Sequence, residues 1–252
     1  MGRERKRVVF LIFEGISDYD ALYIPISRLY EEVDESIEVM YGFIEDKDQE
    51  CGDITSKNGV KPENIEEIMT KIIFVPNLNR DGVYPKDLLE VIHFIDMDGS
   101  YVSDDTIVFD ANCIKTEYSD KIYTNDKKKI VERNIRKRAN IDYLTEQSQI
   151  KVKSKKIDYS IYYCSSNLEH VSSNKANVDA SDKRGLAKLF AHERLSSSQD
   201  FLSFFESVMP PVTNDEYKDT WSFIKDGNNS LGRYSNVAVL IRRLMGRADA
   251  VK

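Results

Sequence analysis

Residues 8–18 read Val-Val-Phe-Leu-Ile-Phe-Glu-Gly-Ile-Ser-Asp, and the fold class follows from how that stretch divides. Six consecutive apolar residues, rich in β-branched and aromatic side chains, predict a strand buried on both faces, as a parallel sheet requires. Glu14-Gly15 breaks the run. Ser17 is the expected N-cap of a following helix, with Asp18 and Asp20 in the first turn, where the helix dipole favours carboxylates. That helix is expected to run toward Glu32 with Ala21, Leu22, Ile26 and Leu29 on one face, and Pro25 is expected to kink or restart it.

Outward from this unit the pattern repeats. Ile37–Ile44 (IEVMYGFI) and Glu90–Ile95 (EVIHFI) read as further strands, Thr106–Phe109 as a short extended piece, and Ile157–Cys164 (IDYSIYYC) as the last strand. The acidic segment Glu45–Lys61 reads as a loop. Pro62 opens a short helix toward Thr70, and Ile72–Val75 is either its tail or another strand. Asp126–Gln149 is helix-permissive, with a thin apolar seam of Ile130, Ile135, Ile141 and Leu144. From Asp179 onward the chain reads as helices broken at Ser196–Ser198, Pro210-Pro211 and Gly227–Gly232. The alternation predicts an α/β fold to about residue 175, a central mostly parallel sheet flanked by helices, followed by a helical C-terminal part over 176–252.

The 252 residues, 41% of them apolar, are enough for one sizeable core. The start is charged and its apolar run is too short for a membrane span, with no cleavage site behind it, so a cytoplasmic protein is expected. Cys51, Cys113 and Cys164 form no zinc spacing and read as reduced thiols. No phosphate-loop motif of an ATPase occurs. The net charge of −7 argues weakly against nucleic acid, but it is unevenly spread: residues 115–159 hold 13 Lys/Arg against 7 Asp/Glu, a local balance of +6 that leaves −13 elsewhere. At helical spacing Lys129, Arg133, Arg136 and Lys137 fall near one face and are the candidate phosphate contacts; a solvated surface helix is the plainer alternative.

Three acidic clusters follow strands: Glu14 and Asp18, Asp96 and Asp98, and Asn167-Leu168-Glu169. A carboxylate at the end of a buried strand needs a counter-charge. Alternation along the strand is expected to point Asp96 and Asp98 the same way, with Met97 packed behind them. Carboxylates converging from several strand ends make a hard oxygen site suited to Mg²⁺ or Mn²⁺, which is what phosphoryl transfer needs. His93 is expected to be core. His170 is the one histidine worth testing for catalysis. Tyr143, Tyr159, Tyr162 and Tyr163 are either core or base-stacking residues. Asn228–Asn236 is either a closing loop in which Arg233 clamps a phosphate, or a helix connection.

The pairing of strand–Glu14-Gly15-Ile16-Ser17-Asp18 with strand–Asp96-Met97-Asp98-Gly99 resembles the Toprim family of topoisomerases, primases, ribosomal-RNA maturases and defence nucleases. The resemblance covers roughly residues 8–110 and extends toward Glu169. It implies that Glu14 acts as metal ligand or acid/base and that Asp96 and Asp98 bind the ion. Asp18 and Glu169 match second-metal positions of the overcoming-lysogenization-defect nucleases, although Asn167 stands where those have Ser. The spacing from Glu14 to Asp96 exceeds the compact family core and implies an insertion around 45–86. A small Toprim protein without a tyrosine-nucleophile domain or zinc ribbon is expected to be a metal-dependent nuclease. The charged insertion and helical tail resemble an anti-phage, abortive-infection effector, cutting DNA or RNA (tRNA included) and controlled by a partner ATPase. A ribosomal-RNA maturase, or a non-catalytic module with a vestigial site, is the alternative.

Overall fold

The computed structural model describes residues 6–42, 45–46, 49–50, 53–194, 197–213 and 216–251. Cys51, Phe43 and Ile44 lie outside them, as does the extreme N-terminus. The apolar run forms β1 (Arg7–Ile12) and leads into α1 (Ile16–Val33), after which β2 (Ile37–Gly42) returns parallel to β1. Two-residue strands β3 (Glu45–Asp46) and β4 (Gln49–Glu50) pair within the segment read as loop. Helix α2 (Ile65–Met69) passes through a π-turn at Thr70–Phe74 into α3 (Val75–Arg80), so the ambiguous 72–75 stretch is helical.

Strand β5 (Leu88–Asp96) runs parallel to β1 on the side away from β2. A small sheet follows, in which β6 (Ile107–Phe109), β7 (Glu117–Tyr118) and β8 (Ile122–Thr124) take the order β6-β8-β7. Then come α4 (Lys127–Thr145), β9 (Gln149–Val152) and β10 (Lys155–Cys164). The main sheet has the order β2-β1-β5-β10-β9, parallel except for the β9 edge, which sequence periodicity did not predict. Short α5 (Leu168–Ser173) precedes four longer helices, α6 (Ala180–Arg194), α7 (Ser198–Ser207), α8 (Glu216–Lys225) and α9 (Val237–Val251).

Period-two alternation assigns the sheet's two faces. Val8, Phe10, Ile12, Val91 and Ile95 pack with α2, α3, α4 and α8. Val9, Leu11, Phe13, Ile92 and Phe94 pack with α1, α6, α7 and α9. The C-terminal helices therefore share a core with the sheet. Burial of both faces accounts for continuous apolar strands.

Three local expectations change. The N-cap of α1 is Gly15, in extended backbone, and its N–H donates to Asp18 Oδ2 at 2.9 Å, so Ser17 lies inside the helix. Pro25 does not break α1: the helix is continuous, and Ala21, Leu22, Pro25, Ile26 and Leu29 are all buried. Packing of that face outweighs the hydrogen bond that proline forfeits. Ile135 leaves the apolar seam of α4 and is 54% exposed, because Ile130, Asn134, Lys137, Ile141 and Leu144 make up the buried stripe.

Candidate metal centre

In an open parallel sheet, ligands gather beyond the carboxyl ends of strands where the strand order reverses. Here that point lies between β1 and β5, since the chain moves from β1 outward to β2 and later from β5 outward to β10. Glu14 follows β1, Asp96 is the last residue of β5, and Asp98 lies two residues beyond it.

Alternation places Asp96 on the face of Ile92 and Phe94, toward α1 and α6. Asp98 departs from it. The strand ends at Asp96, and Asp98 takes a left-handed backbone with φ 50°, which turns its carboxylate to the opposite side of the sheet. The conformation is fixed from both ends: Asp98 N–H donates to Ser166 O at 2.9 Å, and Arg133 Nη2 donates to Asp98 O at 2.8 Å. Gly99 follows at φ 62°, where a Cβ would stand 2.6 Å from Leu231 Cδ2. The two aspartates therefore serve different groups, contrary to the shared face expected from alternation.

Asp98 joins Glu14 and Asp53, whose ligand oxygens together lie within 4.8 Å of one another. Asp53 comes from the segment read as a loop and had no signal beyond its charge. Thr55 holds it, donating to Asp53 Oδ1 from N at 2.7 Å and from Oγ1 at 2.6 Å. Lys137 rises from α4 into the centre of the trio, its Nζ 2.7 Å from Asp98 Oδ2, 2.8 Å from Asp53 Oδ2 and 3.5 Å from Glu14 Oε1. The Lys137 side chain has no exposure, while Asp98 keeps 25% and opens the group to solvent.

Burial, and then the charge of Asp53, push the Glu14 carboxyl well above the usual carboxylate range despite Lys137. Burial would also raise Asp98 and Asp53, but Lys137 outweighs it and holds both below that range. The trio thus divides into two firmly ionised acids and one that retains a proton more readily.

Asp96 belongs to a second group with Asp18 and Glu169, whose charges, after burial, raise its carboxyl. Burial and then Glu169 push Asp18 up to about 7. Lys183 of α6 reaches this group, with Nζ 3.2 Å from Glu169 Oε2 and 38% of its side chain exposed. Among the described residues only the Glu14, Asp53 and Asp98 trio has ligand oxygens close enough together to hold one metal ion. The chemistry fits Mg²⁺ or Mn²⁺: oxygen donors only, with no Cys or His among them.

The predicted basic face is redistributed. Lys137 points inward. Arg133 is committed to Asp98, to Asn134 and to Tyr118 Oη at 2.8 Å. Arg136 Nε donates to Ser56 O at 3.3 Å, and one turn on Asn140 Nδ2 donates to Thr55 O at 2.7 Å, so α4 grips the segment that carries Asp53. Lys129 remains exposed. Asn167 caps α5, accepting from His170 N–H at 2.9 Å, and its amide donates to Ala176 O, which occupies the side chain away from the carboxylates.

His93 is buried, with its Nδ1 2.8 Å from Tyr159 Oη. Tyr159, Tyr162 and Tyr163 are core, and Tyr143 is partly buried with its hydroxyl on Glu66. Residues 228–236 brace the sheet end: Ser166 N–H donates to Ser230 O, Ser165 N–H to Tyr234 O, and Arg233 Nε to Val171 O. His170, half-buried near Arg233, keeps Nδ1 without a hydrogen bond. A scan against protein-family models finds no match to the chain, and neither do searches of curated proteins and of solved structures.

Proposed function

We propose that this chain is a divalent-metal-dependent nuclease that hydrolyses nucleic-acid phosphodiesters. The observation that supports it is the trio of convergent carboxylates at the β1/β5 switch point, open to solvent at Asp98. Glu14, Asp53 and Asp98 would hold the ion. Bound Mg²⁺ or Mn²⁺ supplies an activated water and neutralises charge developing on the phosphate.

The protein's own groups set the stage for that chemistry. Asp53 and Asp98, held ionised by Lys137, serve as fixed ligands. Glu14 would complete the ligand set from the end of β1. Lys183 is partly exposed beside the second group and can face a substrate phosphate, while Lys128 and Lys129 on the outer side of α4 suit backbone contacts farther along a strand.

The Toprim resemblance carried by Glu14-Gly15 and Asp96-Met97-Asp98-Gly99 supports the same chemistry. By analogy it favours a toxic effector of anti-phage defence that works with a partner ATPase and cuts DNA or RNA in the cytoplasm. Among the described residues no helix is long and apolar enough to cross a membrane. A second reading rests on Lys137: an ammonium already contacting three carboxylates also describes a closed structural ion cluster.

The experiment is to incubate purified protein with total cellular nucleic acid in Mg²⁺, in Mn²⁺ and in chelator, beside Glu14→Ala. Metal-dependent cleavage lost in the folded variant is expected. Full activity of Glu14→Ala, or no cleavage by the wild type under any condition, favours the structural cluster or another chemistry.

A further inference from the structure

We propose that Lys137 is the resident cation of the first group: its ammonium keeps Glu14, Asp53 and Asp98 assembled without metal, and its charge limits how tightly a divalent ion binds there. This rests on the metal reading above and adds a role for one residue of this chain.

The carboxylates come from separate places in the chain, the end of β1, the segment after β4 and the end of β5. Pairing of β1 with β5 brings Glu14 and Asp98 to one sheet edge, but Asp53 reaches them from outside the main sheet. Brought together in a poorly solvated site, the ionised Asp53 and Asp98 repel each other and oppose ionisation of Glu14. Among the described residues Lys137 is the one cation in ion-pair contact with all three. Arg133 reaches the carbonyl of Asp98, and Lys183 serves Glu169.

Lys137 and Lys183 differ in their freedom. Lys183 keeps 38% of its side chain exposed. Lys137 has no exposed surface, and it projects from the buried stripe of a nineteen-residue helix whose Arg136 and Asn140 hold residues 55 and 56. Its side chain is fully enclosed, and of the carboxylates it contacts Asp98 keeps the most exposure. An ion arriving from the exposed Asp98 side therefore binds with the ammonium still present and shares the carboxylate oxygens with it. Repulsion between the two cations weakens metal binding, and in exchange the empty site stays folded.

Lys137→Met removes the charge and keeps the length of the side chain. Its metal-free melting temperature, followed by circular dichroism, is expected to fall by roughly 6 °C or more, as breaking a buried ion pair implies. Saturating Mn²⁺ should restore most of that loss. Calorimetric titration should show Mn²⁺ binding about tenfold tighter than in the wild type. A variant lacking one charge of each sign, Asp53→Asn with Lys137→Met, should melt above Lys137→Met without metal. Should the single variant not fold, the same titration comparing that double variant with Asp53→Asn alone carries the test, with tighter binding expected in the double variant.

Unchanged metal-free melting, or Mn²⁺ binding no tighter on loss of Lys137, would overturn the proposal while leaving the metal reading intact. Failure of the wild type to bind either Mn²⁺ or Mg²⁺ would overturn both.

Discussion

The carboxylate of Asp98 meets the ammonium of Lys137 at 2.7 Å because Asp98 has left the strand: its φ of 50° turns it away from Asp96 and across to the face where α4 lies. One backbone conformation thus divides a D-x-D motif between two acidic groups.

That conformation can be tested at its neighbour. Gly99→Ala would place a methyl at φ 62°, 2.6 Å from Leu231 Cδ2, and so combine backbone strain with overpacking. A loss of about 1–3 kcal/mol in urea-denaturation stability is expected, with weaker Mn²⁺ binding because Asp98 must shift. Unchanged stability and affinity would mean that Asp98 does not depend on this turn.

The second group sets a pH dependence. Asp18 is pushed up to about 7 by burial and by Glu169, against about 3.9 in an unfolded chain. The folded state then holds the proton over a range in which the unfolded state has released it, so this group costs stability as pH rises from about 4 to about 7. His93, which burial holds at about 4, works in the opposite direction over the same window. The comparison is therefore between proteins: Asp18→Asn should gain stability over the metal-free wild type progressively from pH 4 to pH 7, read from urea midpoints. A constant difference would contradict the assignment.

Residues of the basic helix should separate by role. Lys129→Ala is expected to change stability by less than about 0.5 kcal/mol and to weaken nucleic-acid binding with a shallower salt dependence. Arg133→Ala removes donors to Tyr118, Asn134 and Asp98, and should cost about 1–3 kcal/mol. Chemical denaturation beside fluorescence-anisotropy binding distinguishes them, and equal stability losses would contradict the division.

The His93–Tyr159 hydrogen bond, at 2.8 Å between buried groups, predicts that Tyr159→Phe leaves an imidazole nitrogen unpaired. A loss of about 1–3 kcal/mol is expected. Cleavage should persist, since neither side chain contacts the carboxylates in the ion pairs of the site.

Much of this was legible in the sequence because it depends on short-range periodicity. Val8–Phe13 and Glu90–Ile95 announced buried parallel strands, and their ends located Glu14, Asp96 and Asp98. Other features depend on contacts distant in sequence. Asp53 is one more acid in an acidic segment until α4 draws it beside Glu14. Lys137 looked like one more cation in a basic run, and only the rotation of α4, fixed by Asn134 and Ile141 packing inward, shows that it is buried. The opposite orientation of Asp98 hangs on a single positive φ, which no hydrophobic pattern records, although Gly99 marks the place. Pro25 misled because helix propensity was outweighed by packing of the face around it.

The central claim is that Glu14, Asp53 and Asp98 hold a divalent cation. Its most direct test is anomalous scattering from a crystal of the wild-type protein grown with Mn²⁺. A manganese peak within coordination distance of oxygens from all three carboxylates is predicted. Full density for the three side chains with no manganese between them, and Lys137 alone at their centre, would contradict it.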